Sequence, residues 1–147
     1  MIEYTVNVYD NGTRSWWLNG KRHREGGPAV ECANGTKEWW LNNKLHREDG
    51  LPAIECTDGY KAWYLNGKHH REDGPAIECT DGDKAWYLNG YLHREDGPAV
   101  IYANGDRYWY LNSKELTEEE FNNRTNPKNA KLIKCLKQLL EYLEGKS

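Results

Sequence analysis

The chain has 147 residues and a formal net charge of -3, enough for one domain and too near neutral to mark either a polyanion binder or a polyanion mimic. No stretch approaches the roughly 18 consecutive apolar residues of a membrane span, and Met-Ile-Glu-Tyr-Thr-Val lacks the basic and apolar regions of a signal peptide, so a cytoplasmic protein is expected. Seven Trp and ten Tyr against one Phe and one Met suit strands with one wet edge, where an aromatic body packs and its polar tip stays hydrated.

From the N-terminus, Val6 to Gly12 matches only the second half of a unit that then recurs in full, Trp-Tyr-Leu-Asn-Gly-Lys-x-His-Arg-Glu-Asp-Gly-Pro-Ala. Gly12, Gly35, Gly59, Gly82 and Gly105 keep step with Trp16, Trp39, Trp63, Trp86 and Trp109 and with His23, His46, His70 and His93, at spacings of 23, 24, 23 and 23 residues. The extra residue is Leu51, before Pro52. A period of this size marks a repeat architecture in which each unit buries its apolar face against its neighbours.

Within the unit from 75 to 93, Pro75 to Cys79 alternates apolar and polar residues, Asp81-Gly82 is a preferred pair for a two-residue type I′ turn, Lys84 to Leu88 returns, and Asn89-Gly90 turns again. Two turns per period predict two strands per repeat. This register pairs Cys79 with Lys84, Ile77 with Trp86 and Ala76 with Tyr87. It assigns Ile77, Cys79, Trp86 and Leu88, with their equivalents, to a packed face. The other face receives Trp17, Trp40, Tyr64, Tyr87 and Tyr110 as an aromatic ladder at about 10 Å intervals, flanked by Ala62, Ala76, Ala85, Glu31, Glu55 and Glu78.

Tyr108 to Ser113 holds the first half of a further unit, after which Lys114 departs from the pattern and the chain is expected to turn helical. Thr117 and Glu120 form a capping-box signature for a short helix to about Asn122. A second helix is predicted from about Pro127 to Glu144, with Leu132, Ile133, Leu136, Leu139, Leu140 and Leu143 on one face. That stripe is read as the cover for the open end of the sheet, with self-association as the alternative. The expected fold is mainly β: an elongated single-layer antiparallel β-meander of about four to five 23-residue hairpin repeats over residues 1–113, capped by one or two C-terminal α-helices over residues 114–147.

Cys32, Cys56 and Cys79 occupy equivalent places, so they should lie two strands or about 9.6 Å apart, beyond the roughly 7 Å between Cα atoms that a disulfide spans. Free, structural thiols are expected. The repeated His-Arg-Glu-Asp is usual material for acid–base or metal sites, but histidines about 10 Å apart cannot share an ion that each nitrogen must approach to about 2 Å. His70 lies opposite Trp63 in the hairpin register, and His93 opposite Trp86. No Walker loop, dinucleotide fingerprint, Cys-x-x-Cys pair or nucleophile elbow is present. Neither an enzyme, a cofactor nor a metal site is expected.

Segments such as Asn66-Gly67-Lys68-His69-His70 and Tyr102-Ala103-Asn104-Gly105-Asp106-Arg107-Tyr108 resemble the MORN repeat. The full unit is similar to the MORN-variant repeats of bacterial antitoxin-like and bacteriophage proteins, over about residues 6 to 113. It departs from the family at Arg24, Arg47, Arg71 and Arg94, which stand where the family has Gly after His, and at the Trp-Trp or Trp-Tyr that replaces its Tyr-x-Gly opening. The resemblance implies an extended single-layer sheet and a scaffolding or protein-binding role, with a phage or bacterial accessory protein acting on a host or toxin protein as its setting. Lipid binding is not carried over, given the charge.

Trp17, Trp40, Tyr64, Tyr87 and Tyr110, with Arg47, Arg71 and Arg94 on a charged rim, are therefore the candidate partner-binding residues, since Tyr, Trp and Arg supply contact area at binding hot spots. The expected partner is a protein. Stacking of single-stranded nucleic acid or carbohydrate on the ladder is an alternative, opposed by Glu31, Glu55 and Glu78. A structural spacer or a homo-oligomer built through sheet edges or the C-terminal helix is the other.

Overall fold

Two kinds of turn alternate along the chain and set the register. In the computed structural model, which describes residues 1–146, the inner turn is the expected two-residue type I′: Asn66-Gly67 and Asn89-Gly90 have both φ angles positive, 50 and 79°, and 50 and 82°. Asn42-Asn43 and Asn112-Ser113 adopt the same conformation without glycine. There the second side chain answers with a hydrogen bond, Asn43 Oδ1 accepting from the Arg22 amide at 2.6 Å and Ser113 Oγ from Leu92 at 3.1 Å. Ser147 and the side chain of Ala130, both within the predicted cap, lie outside the described residues.

The outer turn differs from the expectation. The Gly82 amide donates to the Cys79 carbonyl at 3.1 Å and the Cys79 amide to the Asp83 carbonyl at 2.9 Å, enclosing a three-residue loop that ends in Gly82 at φ 103°, the bulged hairpin connection. Cys32–Thr36, Cys56–Tyr60 and Tyr102–Asp106 close in the same way. Asp81 stabilises this form by accepting from the Asp83 amide at 3.1 Å, as Asn34, Asp58 and Asn104 do in their turns. The pairing therefore moves by one residue. Glu78 lies opposite Lys84 and Ile77 opposite Ala85, and the Ala76 amide donates to the Ala85 carbonyl, so Ala76 no longer falls opposite Tyr87.

The chain opens with β1 (Thr5–Val8), β2 (Arg14–Leu18) and β3 (Lys21–Arg22). Outer hairpins follow: β4 (Val30–Glu31) with β5 (Lys37–Glu38), β8 (Ile54–Glu55) with β9 (Lys61–Ala62), and β12 (Ile77–Glu78) with β13 (Lys84–Ala85). Between them lie inner hairpins β6 (Trp40–Leu41) and β7 (Lys44–Leu45), β10 (Tyr64–Leu65) and β11 (Lys68–His69), and β14 (Tyr87–Leu88) and β15 (Tyr91–Leu92). β16 (Val100–Ile101), β17 (Arg107–Leu111) and β18 (Lys114–Leu116) finish the meander. The outer strands form one open antiparallel sheet in the order β1-β2-β4-β5-β8-β9-β12-β13-β16-β17-β18. Each inner hairpin continues from the same extended segment past Trp39, Trp63 or Trp86, and neighbouring inner hairpins are joined by bonds such as Arg47 N–H to Tyr64 O at 3.1 Å and Gly67 N–H to Leu45 O at 2.8 Å.

A row of alternating Trp and Ala crosses this sheet: Trp16 pairs with Ala29, Trp39 with Ala53, Trp63 with Ala76 and Trp86 with Ala99, through amide-to-carbonyl bonds of 2.7–2.8 Å. All four alanines are fully buried. A methyl group between successive indoles lets the large rings stand two strands apart without collision.

The one-residue shift exchanges side chains between faces, because alternation has a period of two. Ile54, Ile77, Val30 and Val100, with Cys32, Cys56 and Cys79, join the ladder aromatics, Ala62 and Ala85 on one face. Glu31, Glu55 and Glu78 move to the Trp side and pair with Lys37, Lys61 and Lys84, a sign-alternating row of cross-strand pairs. The predicted grouping of Ile77 and Cys79 with Trp86, and of Ala76 and the glutamates with the ladder, is thus corrected.

At the C-terminal end Lys114 begins a strand and not a helix, so the sheet runs to Leu116. α1 (Glu118–Thr125) has the expected capping box on Thr117 and Glu120 and rests on β17 and β18, with Phe121 and Leu116 buried. α2 (Pro127–Glu144) is capped by Asn126, whose side chain accepts from Lys128, and stopped at Gly145. Its leucine stripe does not cover the sheet. Leu132, Leu136, Leu139, Leu140 and Leu143 are 50–57% exposed, and Phe121 of α1 supplies the cover instead.

Candidate functional site

On the Trp side, the loops from His to Pro cross the sheet, and each is held by an arginine clamp. The Arg71 guanidinium lies 3.9 Å over the Trp63 ring, Nη1 donates to Pro75 O and Glu78 Oε1 at 3.0 Å each, and Nε donates to Asp73 at 3.0 Å. Arg24, Arg47 and Arg94 stack on Trp16, Trp39 and Trp86 at 3.9, 3.6 and 4.0 Å. A Cβ at Gly27, Gly74 or Gly97 would come within 2.9–3.0 Å of the guanidinium carbon, so the glycine before the proline leaves room for the cation in these three loops. The loop lengthened by Leu51 differs: Gly50 sits at φ 67° with open space around it, and its carbonyl accepts the Trp63 indole N–H at 2.8 Å.

The histidines latch consecutive units. His23, His46, His70 and His93 accept, at Nδ1, the amide protons of Asn42, Asn66, Asn89 and Asn112 at 2.9–3.1 Å, which places the ring proton on Nε2. Nε2 faces Glu25, Glu48, Glu72 or Glu95 at 3.3–3.7 Å. With Nδ1 occupied and Nε2 protonated, neither nitrogen is poised to take a proton from a substrate. His70 and His93 do lie opposite Trp63 and Trp86, bonded through the backbone at 3.1 and 3.0 Å, yet the partner stacked on each indole is the arginine. Between successive loops run clefts of about 670, 580 and 470 Å³, floored by Trp86 and Leu88, Trp63 and Leu65, and Trp39 and Leu41. Their walls carry Glu and Asp side chains in open water. Among the described residues no three His, Cys, Asp or Glu side chains converge as metal ligands would.

The opposite face carries the ladder, and it is denser than the spacing implies. Inner hairpins place Trp17 opposite Arg22, Trp40 opposite Leu45, Tyr64 opposite His69, Tyr87 opposite Leu92 and Tyr110 opposite Glu115. The result is one row of ten side chains across ten strands. Arg22 sits 5.2 Å from the Trp17 ring and 4.8 Å from Trp40, and His69 lies 4.0 Å from Tyr64 and 5.1 Å from Tyr87, centroid to centroid. All five ladder aromatics are half-buried. The two tryptophans satisfy their indole N–H groups on the residue two positions earlier, Trp17 on Ser15 at 2.7 Å and Trp40 on Glu38 at 2.8 Å. Where the ladder residue is Tyr64 or Tyr87, that earlier position is Ala62 or Ala85.

Partial burial disfavours charge along this row. Burial raises the Tyr64 phenol, helped by Tyr60 and Tyr87, and raises Tyr110, helped by Glu115. Burial also holds the His69 imidazole below its ordinary value, so it is kept neutral. The thiols of Cys32 and Cys79, free like the other two, are raised chiefly by burial, which keeps them from thiolate chemistry.

The predicted binding residues thus separate. Trp17, Trp40, Tyr64, Tyr87 and Tyr110 come together in one row, whereas Arg47, Arg71 and Arg94 lie on the other side of the sheet with their donors engaged within the loops. Arg22, Leu45, His69, Leu92 and Glu115 are the row members that sequence reasoning missed; the signal was available, since each is two residues beyond the inner turn and must face the aromatic that precedes it. With Glu31, Glu55 and Glu78 relocated, they no longer oppose a phosphate ligand here. Arg22 is the lone Lys or Arg among the described residues on this face, beside Glu38, Asp83, Asp106 and Glu115, a balance equally poor for a polyanion. Compared with models of known protein families the chain matches none, and no curated protein is found to match it.

Proposed function

We infer that this chain is a non-enzymatic protein-binding repeat module that holds a protein partner on its open aromatic row. The observation carrying this reading is the row itself: Trp17, Arg22, Trp40, Leu45, Tyr64, His69, Tyr87, Leu92 and Tyr110, in register and half-exposed, with Glu115 exposed at its end. Rigid aromatics presented by a fixed backbone lose little entropy on binding. Variation between units points the same way. Residues 55–76 and 78–99 differ at three positions, Tyr60/Asp83, Lys68/Tyr91 and His69/Leu92, and the first and third of these pairs lie on the open face, while the clamp and latch residues repeat unchanged. The MORN-variant resemblance adds the setting of a phage or bacterial accessory protein that blocks or sequesters a host or toxin protein.

The test is nuclease-treated affinity capture from bacterial lysate, followed by a binding measurement with each purified candidate. Three baits are compared: wild type, Tyr64→Ala with Tyr87→Ala, and Lys61→Ala with Lys84→Ala on the opposite face, with circular dichroism verifying the fold. A partner that binds wild type and the lysine variant but not the tyrosine variant supports the reading. Binding lost only with the lysine variant, or displaced by single-stranded DNA, overturns it.

A further inference from the structure

α2 is an amphipathic helix whose leucine face this chain leaves open to water. Leu132, Leu136, Leu139 and Leu143 follow one another at intervals of 4, 3 and 4 residues, the d-a-d-a spacing of a coiled-coil seam. Leu140 and Tyr142 flank the seam. These six side chains are 50–57% exposed, and at roughly 100 Å² each from two copies they approach the ~1,200 Å² at which stable interfaces begin.

The charges of α2 supply the second observation. Lys128, Lys131, Lys134 and Lys137 occupy its first three turns, and Glu141 and Glu144 its last; no acidic residue stands in the first turn and no basic one in the last. This polarity opposes the macrodipole, which favours acids at the N-terminus and bases at the C-terminus. A local rule broken along a whole helix points to a compensating neighbour. An antiparallel copy of the same helix compensates by setting the two dipoles head to tail, while the Lys and Glu side chains, turned away from the leucine seam, align positive half with negative half at a longer range that salt screens. A parallel copy would put like charges together.

We propose that α2 is a self-association surface whose occupant is a second copy of this chain, paired antiparallel. The seam closes in register about its own midpoint, with Leu132 against the partner's Leu143 and Leu136 against the partner's Leu139. Asn129, one heptad before Leu136, falls on the seam as well, and a polar residue there limits register and partner number. This pairing uses none of the aromatic row, so it stands or falls independently of the binding reading.

Sedimentation equilibrium of the full chain across a concentration series tests it. A reversible species of twice 17.1 kDa is expected. Leu136→Glu with Leu139→Glu should weaken association more than about 100-fold while leaving the β-sheet dichroism unchanged, because both side chains point to water in the single copy. Glu141→Lys with Glu144→Lys should weaken association at low salt and recover at about 0.5 M salt. A chain that stays monomeric, a dimer that survives the leucine variant, a larger assembly, or a dimer indifferent to the charge variant each overturns the proposal.

Discussion

The arginine clamp offers an internal control, because one of its four copies lacks a part. Arg24, Arg47 and Arg71 reach Glu31, Glu55 and Glu78 at 3.3, 2.8 and 3.0 Å, but Ile101 stands at the equivalent place beyond Arg94, whose Nη1 keeps the Pro98 carbonyl at 3.1 Å. Replacing Arg71 by Ala removes a partly desolvated cation–π stack worth about 1–2 kcal/mol, a charge-assisted bond to a carbonyl worth about 1–1.5 kcal/mol, and a pair with a one-third-exposed carboxylate worth no more than about 1 kcal/mol. The expected loss is about 3 kcal/mol. Arg94→Ala should cost about 1 kcal/mol less for want of the glutamate, and Ile101→Glu should recover part of that difference in the Arg94 background alone. Arg71→Lys keeps a charge but not the planar stack, so it should fall well short of wild type. Urea midpoints followed by tryptophan fluorescence, at constant m, read these differences. Equal losses at Arg71 and Arg94, or a lysine variant as stable as wild type, would refute the clamp as the brace of the loops.

Three further perturbations probe other parts of the frame. His70→Ala leaves the Asn89 amide without its acceptor; a cost of about 1–2 kcal/mol should accompany hydrogen exchange at Asn89 accelerated about tenfold or more, measured by NMR. Ala76→Leu forces a large side chain between Trp63 and Trp86 at a fully buried position and should destabilise by about 1–3 kcal/mol, whereas Ala103→Leu on the exposed outer turn should be nearly neutral in the same melt. His69 binds its proton less readily in the fold than in the unfolded chain, so the unfolded state takes up more protons, and stability present above about pH 6.5 should decline as pH falls through that value toward the folded one. His69→Leu, the residue found at Leu45 and Leu92, should flatten that part of the stability profile relative to wild type; parallel profiles would show that His69 does not contribute.

The period, the two turns per repeat and both helices were legible because they rest on local signals: the Asn-Gly pairs, the Thr117 cap, Pro127 and Gly145. The register was not. Asp-Gly serves both a two-residue turn and the three-residue bulged one, and the choice turned on whether Asp81 bonds forward to the Asp83 amide, which composition does not reveal. That single residue carried Ile77 and Glu78 to opposite faces from those expected. The row of aromatics survived the error because Tyr64, Tyr87 and their equivalents are placed by the inner turns, which were read correctly. The arginines were misassigned for a different reason: a charged residue in a loop looks available until the indole beneath it and the glycine above it are seen together. The leucine stripe of α2 was legible as a stripe, but α1, with one buried Phe121, already fills the place it was given.

Because each clamp, latch and Trp–Ala contact joins only adjacent units, the natural step of change in this molecule is a whole repeat. The stretches 55–76 and 78–99 are alike at all but three positions, so unequal recombination between their coding segments would add or remove one unit in frame. Each such event would alter the row by two strand spacings, about 9.6 Å, and leave the exposed first strand and the α1 closure as they are. Leu51 shows the tolerance on a smaller scale: one extra residue is absorbed inside its loop, and Arg47 and Arg71 on either side keep their stacking distances of 3.6 and 3.9 Å. The molecule can therefore be lengthened or shortened as a ruler is, by graduations, without re-solving its ends.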